Sequence, residues 1–268
     1  MCQFCTKHGE GKKWYLQAKN YADELWHLEG RAEFTDEFLR DAENGMGAIS
    51  KIDKLPADSI VGKLVRRMTE NRMRKDHYGQ IVPIEDIEQI LDISDSVTRL
   101  ACVCRMATRG RECRYCFGLT SPAKKAAGLY PDYANSFETL TKAEALELIR
   151  SFEQDGMTHS VWTFKTPYIA GLCNCDGDCM AYRALTYGNI KLMFKGEYVA
   201  SIDLDLCNGC RSCMRQCQFD AISYSASLKR CFVDVRKCYG CGICRATCGH
   251  DAISLTSRKD VPAVKNDW

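Results

Sequence analysis

Long uncharged apolar runs are missing from this sequence. Nowhere do about 18 apolar residues follow one another without a charge, which is the least that a membrane-spanning helix needs. The first residues, MCQFCTKHGEGKKWYLQ, also lack an apolar stretch of signal-peptide length. We therefore expect a cytoplasmic chain without a membrane span, which leaves docking onto a membrane complex open.

Nucleotide-binding loops are missing as well. Gly45-x-Gly47 lacks the third glycine and the preceding strand of a dinucleotide-binding loop, and the pattern G-x-x-x-x-G-K does not occur. We therefore expect no flavin or nucleotide site within this chain.

A strong excess of charge of either sign is also missing. The 37 Lys and Arg residues nearly balance 35 Asp and Glu, for a formal net charge of +2. Basic residues gather in segment 55–75, but no aromatic residues interleave with them, so base stacking is not indicated and no nucleic-acid partner is expected. The segment reads as a helix with its apolar residues on one side: Ile60, Val61, Leu64, Val65 and Met68.

Cysteine, by contrast, is abundant, with 18 residues in a chain of 268. A hydrophobic share of 46% and a charged share of 27% are typical of a globular protein, and the length suffices for two domains. A reducing compartment does not sustain a disulfide framework. In a cytosolic chain, so many thiols therefore indicate bound metal.

Eight of the cysteines form two runs of identical spacing near the C-terminus: Cys207-x-x-Cys210-x-x-Cys213-x-x-x-Cys217 and Cys238-x-x-Cys241-x-x-Cys244-x-x-x-Cys248. Three thiolates two residues apart can wrap three corners of one [4Fe–4S] cube, whereas the fourth lies too far along to close that cube. Zinc sites usually pair two short Cys-x-x-Cys hooks across a longer gap, which is a different pattern. The two runs therefore indicate two [4Fe–4S] clusters.

From about residue 199 to 255 the chain resembles the bacterial-type ferredoxins with two [4Fe–4S] clusters. The repeat includes a short tail after each run, Phe219-Asp-Ala-Ile222 and His250-Asp-Ala-Ile253. One departure is that Gln218 and Gly249 stand where a proline usually follows the fourth cysteine. The resemblance implies one cluster held by Cys207, Cys210, Cys213 and Cys248, and another held by Cys238, Cys241, Cys244 and Cys217.

Seven further cysteines lie in the middle of the chain in three tight sets: Cys102 with Cys104, Cys113 with Cys116, and Cys173 with Cys175 and Cys179. Four converging thiolates would hold a third [4Fe–4S] cluster. Structural zinc is the alternative metal, and buried inert cysteines are the alternative without metal. Our candidate ligands are Cys102, Cys104, Cys173 and Cys175, with Cys116, Cys179 and Cys113 as substitutes.

The middle segment carries a resemblance of its own. From Cys102-Val-Cys104-Arg105 to the Cys-Asn-Cys set at residue 173, it is similar to the cysteine-rich domain that precedes the ferredoxin module in large iron–sulfur proteins of anaerobic bacteria. Those proteins usually have more cysteines around that set, where this chain has Asp176 and Asp178. The resemblance implies electron delivery to a partner oxidoreductase in anaerobic metabolism.

Three more cysteines remain. Cys2 and Cys5, beside His8, form half of a metal site, and two ligands alone do not close one. They would need thiols left over from the middle sets to complete it. Cys231 stands apart from both C-terminal runs, and we expect it to be a small core residue.

The sequence pattern predicts an α+β protein, in which a mainly helical cysteine-rich N-terminal domain precedes a small two-cluster ferredoxin-like α+β domain. We expect helical structure over 12–43, a helix led by Pro83, a capped helix from Thr141 and a strand within 157–172. AISY and CFVDV should pair as a hairpin between the two runs. The expected segments are a helical region over 1–95, a cysteine-rich domain over 96–190 and a ferredoxin domain over 191–268.

These observations predict an electron-transfer protein that makes no bonds itself. It would pass single electrons through two or three [4Fe–4S] clusters to or from a redox partner protein or oxidoreductase complex. Two alternatives remain. One is an enzyme, or enzyme subunit, whose middle metal site does redox chemistry on a substrate, and the other is a redox sensor or reductive activator.

Overall fold

The structure is a computed structural model that describes residues 13–28, 30–120 and 137–267. Cys2 and Cys5, together with His8, lie outside the described residues. The half-site predicted for them therefore stays a prediction.

Seven strands form one sheet in the first three quarters of the chain: β1 Gly79–Ile81, β2 Val97–Leu100, β3 Cys116–Gly118, β4 Glu138–Leu140, β5 Thr158–Thr163, β6 Ile169–Cys175 and β7 Met193–Phe194. Their order is β4-β2-β3-β6-β5-β1-β7. Neighbouring strands are antiparallel except for β1 and β7, which run parallel.

The helices of the described residues are α1 Asp23–Trp26, α2 Arg31–Arg40, α3 Ala42–Asp53, α4 Ile60–Asp76, α5 Ile84–Ile93, α6 Val103–Arg109, α7 Lys142–Gln154, α8 Met180–Thr186, α9 Ser212–Gln216 and α10 Ile243–Ala246. The capped helix predicted from Thr141 is confirmed as α7. The Thr141 hydroxyl accepts from the Glu144 N–H, and the Glu144 carboxylate accepts from the Thr141 N–H. None of these helices combines the length and apolar character that crossing a bilayer requires.

The helical structure expected over 12–43 is divided into short pieces. Two short 3₁₀ turns, Trp14–Leu16 and Ala18–Tyr21, precede α1, and Gly30 with φ of +80° separates α1 from α2. The aromatic residues that suggested one helix face instead pack into the core under the sheet, where Trp14 and Tyr21 are almost fully buried. Tertiary packing has therefore overridden the local helical pattern.

The apolar residues of α4 are largely exposed. Its apolar residues Ile60 and Val61 are 86% and 62% exposed, whereas Arg66 is only 6% exposed. The Arg66 guanidinium is buried because it donates to three backbone carbonyls, those of Gly188, Ile52 and Leu55, at 2.8–3.0 Å. These hydrogen bonds satisfy helix and loop ends, which an apolar side chain could not do.

The mixed helix and sheet content confirms the α+β class, but the sequence pattern missed most of the sheet. The single strand expected within 157–172 is two strands, β5 and β6, which pair with each other. Strands β1 to β4 have only three or four residues each, too few for an alternating pattern to stand out. Strand β7, at residues 193–194, pairs with β1.

The two faces of the sheet have different surroundings. Helices α5 and α7 cover one face, where Ile90 and Ile149 pack with Leu172 of β6 in the largest hydrophobic core. Successive residues of a strand point to opposite faces, so Cys173 and Cys175 share the other face with Trp162. This second face, which we call the thiol face, carries the middle cysteines.

The C-terminal part contains two small antiparallel sheets. The hairpin predicted between the two cysteine runs is confirmed as β9 Ile222–Ser225 paired with β10 Arg230–Val233. Strand β8 Tyr198–Ile202 pairs with β11 Ile253–Ser257. Their side chains pack around the cysteines of both runs.

Buried hydrogen bonds fix the C-terminal part against the sheet. The fully buried Asp86 of α5 accepts from the hydroxyls of Tyr15 and Tyr198 at 2.6 and 2.9 Å and pairs with Lys13 at 2.8 Å. Within the C-terminal part, buried Arg258 donates to the carbonyls of Tyr198 and Cys238, at 2.9 and 2.8 Å. Because such groups are costly to leave unpaired, the junction is expected to be rigid.

Glu197 lies at the same junction and is 4% exposed. One of its oxygens accepts from Gln80 at 3.4 Å, and the other makes no hydrogen bond within the described residues. Burial raises the pKa of Glu197 from 4.5 to about 7. The folded chain therefore holds this proton more tightly than the unfolded chain does.

This pKa predicts a pH-dependent stability. Below pH 4.5 Glu197 is protonated in both the folded and the unfolded chain, and its burial does not reduce the free energy of unfolding. As the pH rises from 4.5 to 7 the free energy of unfolding falls, and above pH 7 the loss reaches about 3 kcal/mol. The Glu197→Gln variant should therefore have a higher melting temperature than the wild type at pH 8. The difference between their melting temperatures should be smaller at pH 5.5. Thermal unfolding of both chains under anaerobic conditions measures this. An equal margin at both pH values would contradict the assignment.

Candidate metal centres

Four of the eight thiols in the C-terminal runs surround a small cavity. Cys207, Cys210, Cys213 and Cys248 line a space of about 20 Å³ between α9 and the loops around it. Buried Cys231, which is in the C-terminal core as expected, lines the same space. Burial raises the pKa of Cys213 to about 12, and the neighbouring Cys231 thiol adds to the effect. The ligand assignment implied by the ferredoxin resemblance stays a prediction.

The other four thiols also lie near one another. Burial raises the pKa of Cys244 to about 12, and the closeness of Cys238 and Cys217 raises it further. Burial likewise raises the pKa of Cys241, whose neighbours are Cys244, Cys238 and Cys217. The Ala200 and Ala221 N–H groups donate to the sulfurs of Cys238 and Cys217, each at 3.4 Å. Hydrogen bonds of this kind help to set the reduction potential of a cluster.

Equivalent glycines shape the loops of both runs. Gly209 and Gly240 occupy the same position in Cys-x-Gly-Cys, and both have positive φ, +74° and +72°. A Cβ at Gly209 would lie 2.3 Å from the Lys229 carbonyl, and one at Gly240 would lie 2.1 Å from the Tyr198 carbonyl. Only glycine therefore fits either loop, and the two runs share one backbone path.

The middle cysteines meet on the thiol face. Cys116 of β3 lies directly opposite Cys173 of β6, and Cys175 is two residues further along the same strand. The Cys102 and Cys116 sulfurs are 3.3 Å apart. The remaining sulfurs continue this row, because Cys116 neighbours Cys173, Cys173 neighbours Cys175, and Cys175 neighbours Cys179. Cys104 lies beside Cys102 and Cys175. We call these six residues the middle thiol group.

The four candidate ligands and two of the three substitutes therefore come together. The third substitute, Cys113, is not among them, and it contributes its backbone carbonyl, which accepts from the Cys102 N–H at 2.7 Å. Cys104, Cys116, Cys173, Cys175 and Cys179 line a common cavity. Buried Cys102 lies behind that lining, and its sulfur accepts from the Tyr115 N–H at 3.0 Å.

The thiols of this group oppose one another's ionisation. The pKa of Cys175 is lowered because the Cys173 and Cys179 thiols donate to its sulfur. The Cys175 contact raises the pKa of Cys179, the Cys116 contact raises that of Cys102, and burial raises that of Cys104 to about 12. Several thiolates can therefore coexist here only if a positively charged metal core binds them.

The sulfurs are arranged as a row rather than around one point. Among the described residues, no three His, Cys, Asp or Glu side chains are placed to hold a single metal ion. The donors of the middle thiol group are thiols only, and both a structural zinc ion and an iron–sulfur cluster accept such donors.

The nearby carboxylates are engaged elsewhere. Asp176 pairs with Arg105 at 3.1 Å and with Arg109 at 3.6 Å. Asp178 pairs with Arg109 and with Arg183, the latter at 3.4 Å. These ion pairs hold the turn between β6 and α8, so both aspartates position the loop that carries Cys179.

Sequence reasoning missed the role of Arg105. Its guanidinium is fully buried, lies 3.5 Å from the Cys102 sulfur and donates to the Asn174 carbonyl at 3.2 Å. It also lies 4.5 Å from the centre of the Tyr115 ring. A buried cation at this place stabilises negative charge on the middle thiol group. The available signal was the arginine directly after the Cys-x-Cys pair.

The second C-terminal run adjoins the middle thiol group. Cys241 packs against the hydrophobic cluster that contains Cys175 and Cys179. The rings of Phe219 and Tyr239 stack with centroids 4.0 Å apart and pack against the same cluster. Phe219 lies two residues after Cys217, and Tyr239 directly follows Cys238. Gln218 follows Cys217, and its amide donates to the Cys175 carbonyl at 3.3 Å and to the Gly156 carbonyl. Residue 218 thus joins the two cysteine regions.

Comparison with known proteins gives the class of the C-terminal site. Residues 200–223 match the family model of the 4Fe-4S binding domain. This match supports at least one [4Fe–4S] cluster and an iron–sulfur electron-transfer role. The search of curated proteins found no match to the chain.

Gln218 offers a test of the contact between the two regions. Gln218→Leu would leave the buried Gly156 carbonyl without its donor, which costs about 1–3 kcal/mol. We expect the melting temperature of the anaerobic protein to fall by roughly 2–4 °C for each kcal/mol lost. Gln154→Leu, at an exposed position of α7, is the matched control. Equal melting of the two variants would show that the amide does not hold this contact.

Proposed function

We propose that this chain is an electron-transfer protein with two [4Fe–4S] clusters in residues 191–268 and a third in residues 96–190. A helical region over 1–95 would precede these two domains in the chain. The observation that carries the proposal is the placement of Cys241 against the hydrophobic cluster of Cys175 and Cys179. It puts one C-terminal cysteine run next to the middle thiol group. Each cluster, when bound, supplies a site that accepts and releases one electron.

The C-terminal clusters would take crosswise ligands. One would be held by Cys207, Cys210, Cys213 and Cys248, whose common cavity supports this choice. The other would be held by Cys238, Cys241, Cys244 and Cys217. Each of these thiols is close enough to affect the pKa of another, which supports this choice. We call these clusters 1 and 2.

The third cluster would be held by four sulfurs of the middle thiol group. Cys173 and Cys175 belong to every arrangement we favour, because they project from one strand into the common cavity. Cys104, Cys116 and Cys179 also reach that cavity and are the best sources of the other two ligands. Arg105 would offset part of the negative charge of the bound cluster.

Cluster 1 would be the entrance for the redox partner. Cys210 is exposed, unlike buried Cys238 and Cys244 of cluster 2. Apolar side chains are exposed on the same part of the molecule, including Leu206 at 53% and Met214 at 36%, which directly precede and follow predicted ligands. An exposed apolar patch beside a cluster suits transient docking of a partner oxidoreductase. Electrons would then pass between cluster 1, cluster 2 and the middle cluster.

Metal analysis tests the number of clusters. Protein purified without air should contain about twelve iron and twelve acid-labile sulfide per chain and no zinc, since each cube has four of each. The double variant Cys173→Ala/Cys175→Ala should lose about four of each and keep the other clusters. Cys113→Ala, which removes a thiol outside the middle group, is the control and should lose none.

Two results would contradict this proposal. About eight iron with one zinc would replace the third cluster by a structural zinc site. A colourless protein without iron would remove the electron-transfer function altogether.

A further inference from the structure

A large cavity lies on the thiol face of the sheet. Its volume is about 410 Å³, and helices α2, α3, α4 and α8 contribute to its walls together with the sheet. Five sulfur-bearing residues of the middle thiol group form one wall. Ligand sites in proteins commonly measure about 300–1,000 Å³, so this space is large enough for a small molecule.

Two glycines form part of the floor of the cavity. Gly118 of β3 lies opposite Gly171 of β6, and both line the cavity next to the Cys116 and Cys173 pair. Gly171 in turn lies opposite Trp162 of β5. A Cβ at Gly171 would lie 3.3 Å from the Phe164 ring, so the missing side chain lets this ring pack directly against the strand. The aromatic residues therefore come close to the thiol wall.

Aromatic rings form other parts of the cavity wall: Trp26, Phe34, Phe38, His77, Trp162 and Phe164. The His77 ring stacks on Trp162 with centroids 4.9 Å apart and contacts Phe38 at 4.4 Å. Phe38 meets Phe164 edge to face at 5.6 Å. This arrangement presents both faces and edges of rings, the contacts that another aromatic ring prefers.

The interior of the cavity carries almost no charge. Burial lowers the pKa of His77 to about 4, so its ring is neutral near pH 7. Among the described lining residues, the charged ones are Glu37, Asp41 and Arg72, and all three are exposed, which places them at the opening of the cavity. A charged ligand inside would therefore lose its hydration without gaining a partner.

A metal cluster would fill only the thiol side of this space. Apart from the single imidazole of His77, the aromatic walls offer no metal-ligating side chain among the described lining residues. A protein cavity of roughly 150 Å³ suffices to hold benzene. The space beside the thiols is therefore of a size to hold one or two aromatic rings.

We propose that this cavity binds an uncharged aromatic small molecule of one or two rings against the wall of middle thiols. This binding site is an addition to the electron-transfer function. It rests on the proposed function in one respect: the ligand would lie next to the third cluster. The proposed electron route runs from the exposed cluster 1 through cluster 2 to the middle cluster. The molecule would lie at the middle-cluster end of this route.

Indole is a suitable probe because it is uncharged, aromatic and soluble. Anaerobic titration calorimetry of the full-length, cluster-loaded protein should detect saturable binding of indole. Indole-3-carboxylate has the same rings and a negative charge, and it should bind at least tenfold more weakly. Saturable binding of both with equal affinity would overturn the proposed selectivity, and no binding of indole would overturn the site.

A pair of variants locates the binding. Ala48 lines the cavity from an exposed position of α3, and Ala48→Trp should weaken indole binding at least tenfold by filling the space. Ala32→Trp makes the same change at an exposed position of α2 outside the lining and should bind as the wild type does. Equal affinity of the two variants would place the site elsewhere. Should Ala48→Trp fail to fold, Thr35→Phe fills the cavity from α2 and gives the same test.

Iron and sulfide analysis of the same samples separates the two proposals. Loaded protein with full iron content that binds no indole would overturn the aromatic site and leave electron transfer standing. Indole binding by a chain that takes up no iron would overturn electron transfer and leave the aromatic site standing.

Discussion

Crowded thiols shielded from water are the constraint on which the rest of this structure depends. A thiolate in apolar surroundings is unfavourable, and several beside one another are more so. The raised pKa values of Cys104, Cys213 and Cys244, each about 12, express this cost. A positively charged iron–sulfur core would offset it, so the fold and the proposed clusters depend on each other.

Strand pairing explains how distant cysteines become neighbours. Cys116 and Cys173 are far apart in the chain, yet they face each other because β3 and β6 are adjacent in the sheet. The alternation of side chains along β6 then places Cys175 on the same face. Gln218 brings the C-terminal run to that face, so the proposed clusters form a continuous series from an exposed end to a buried one.

The features that could be predicted were local. A capping box predicted α7, and the segments AISY and CFVDV between the two cysteine runs predicted the hairpin of β9 and β10. The missed features depend on long-range contacts. Strands of three residues, the inward turn of Arg66 and the cavity above Gly118 and Gly171 follow from tertiary packing, which no local pattern encodes.

The central claim is that cluster 2 lies beside the middle cluster. Cys207→Ala/Cys210→Ala removes two predicted ligands of cluster 1 and so simplifies the spectrum to these two centres. EPR of this variant, fully reduced without air, should show the broadened, split signal of two interacting clusters. A spectrum that is the simple sum of two isolated clusters, or that shows one cluster only, would contradict the account.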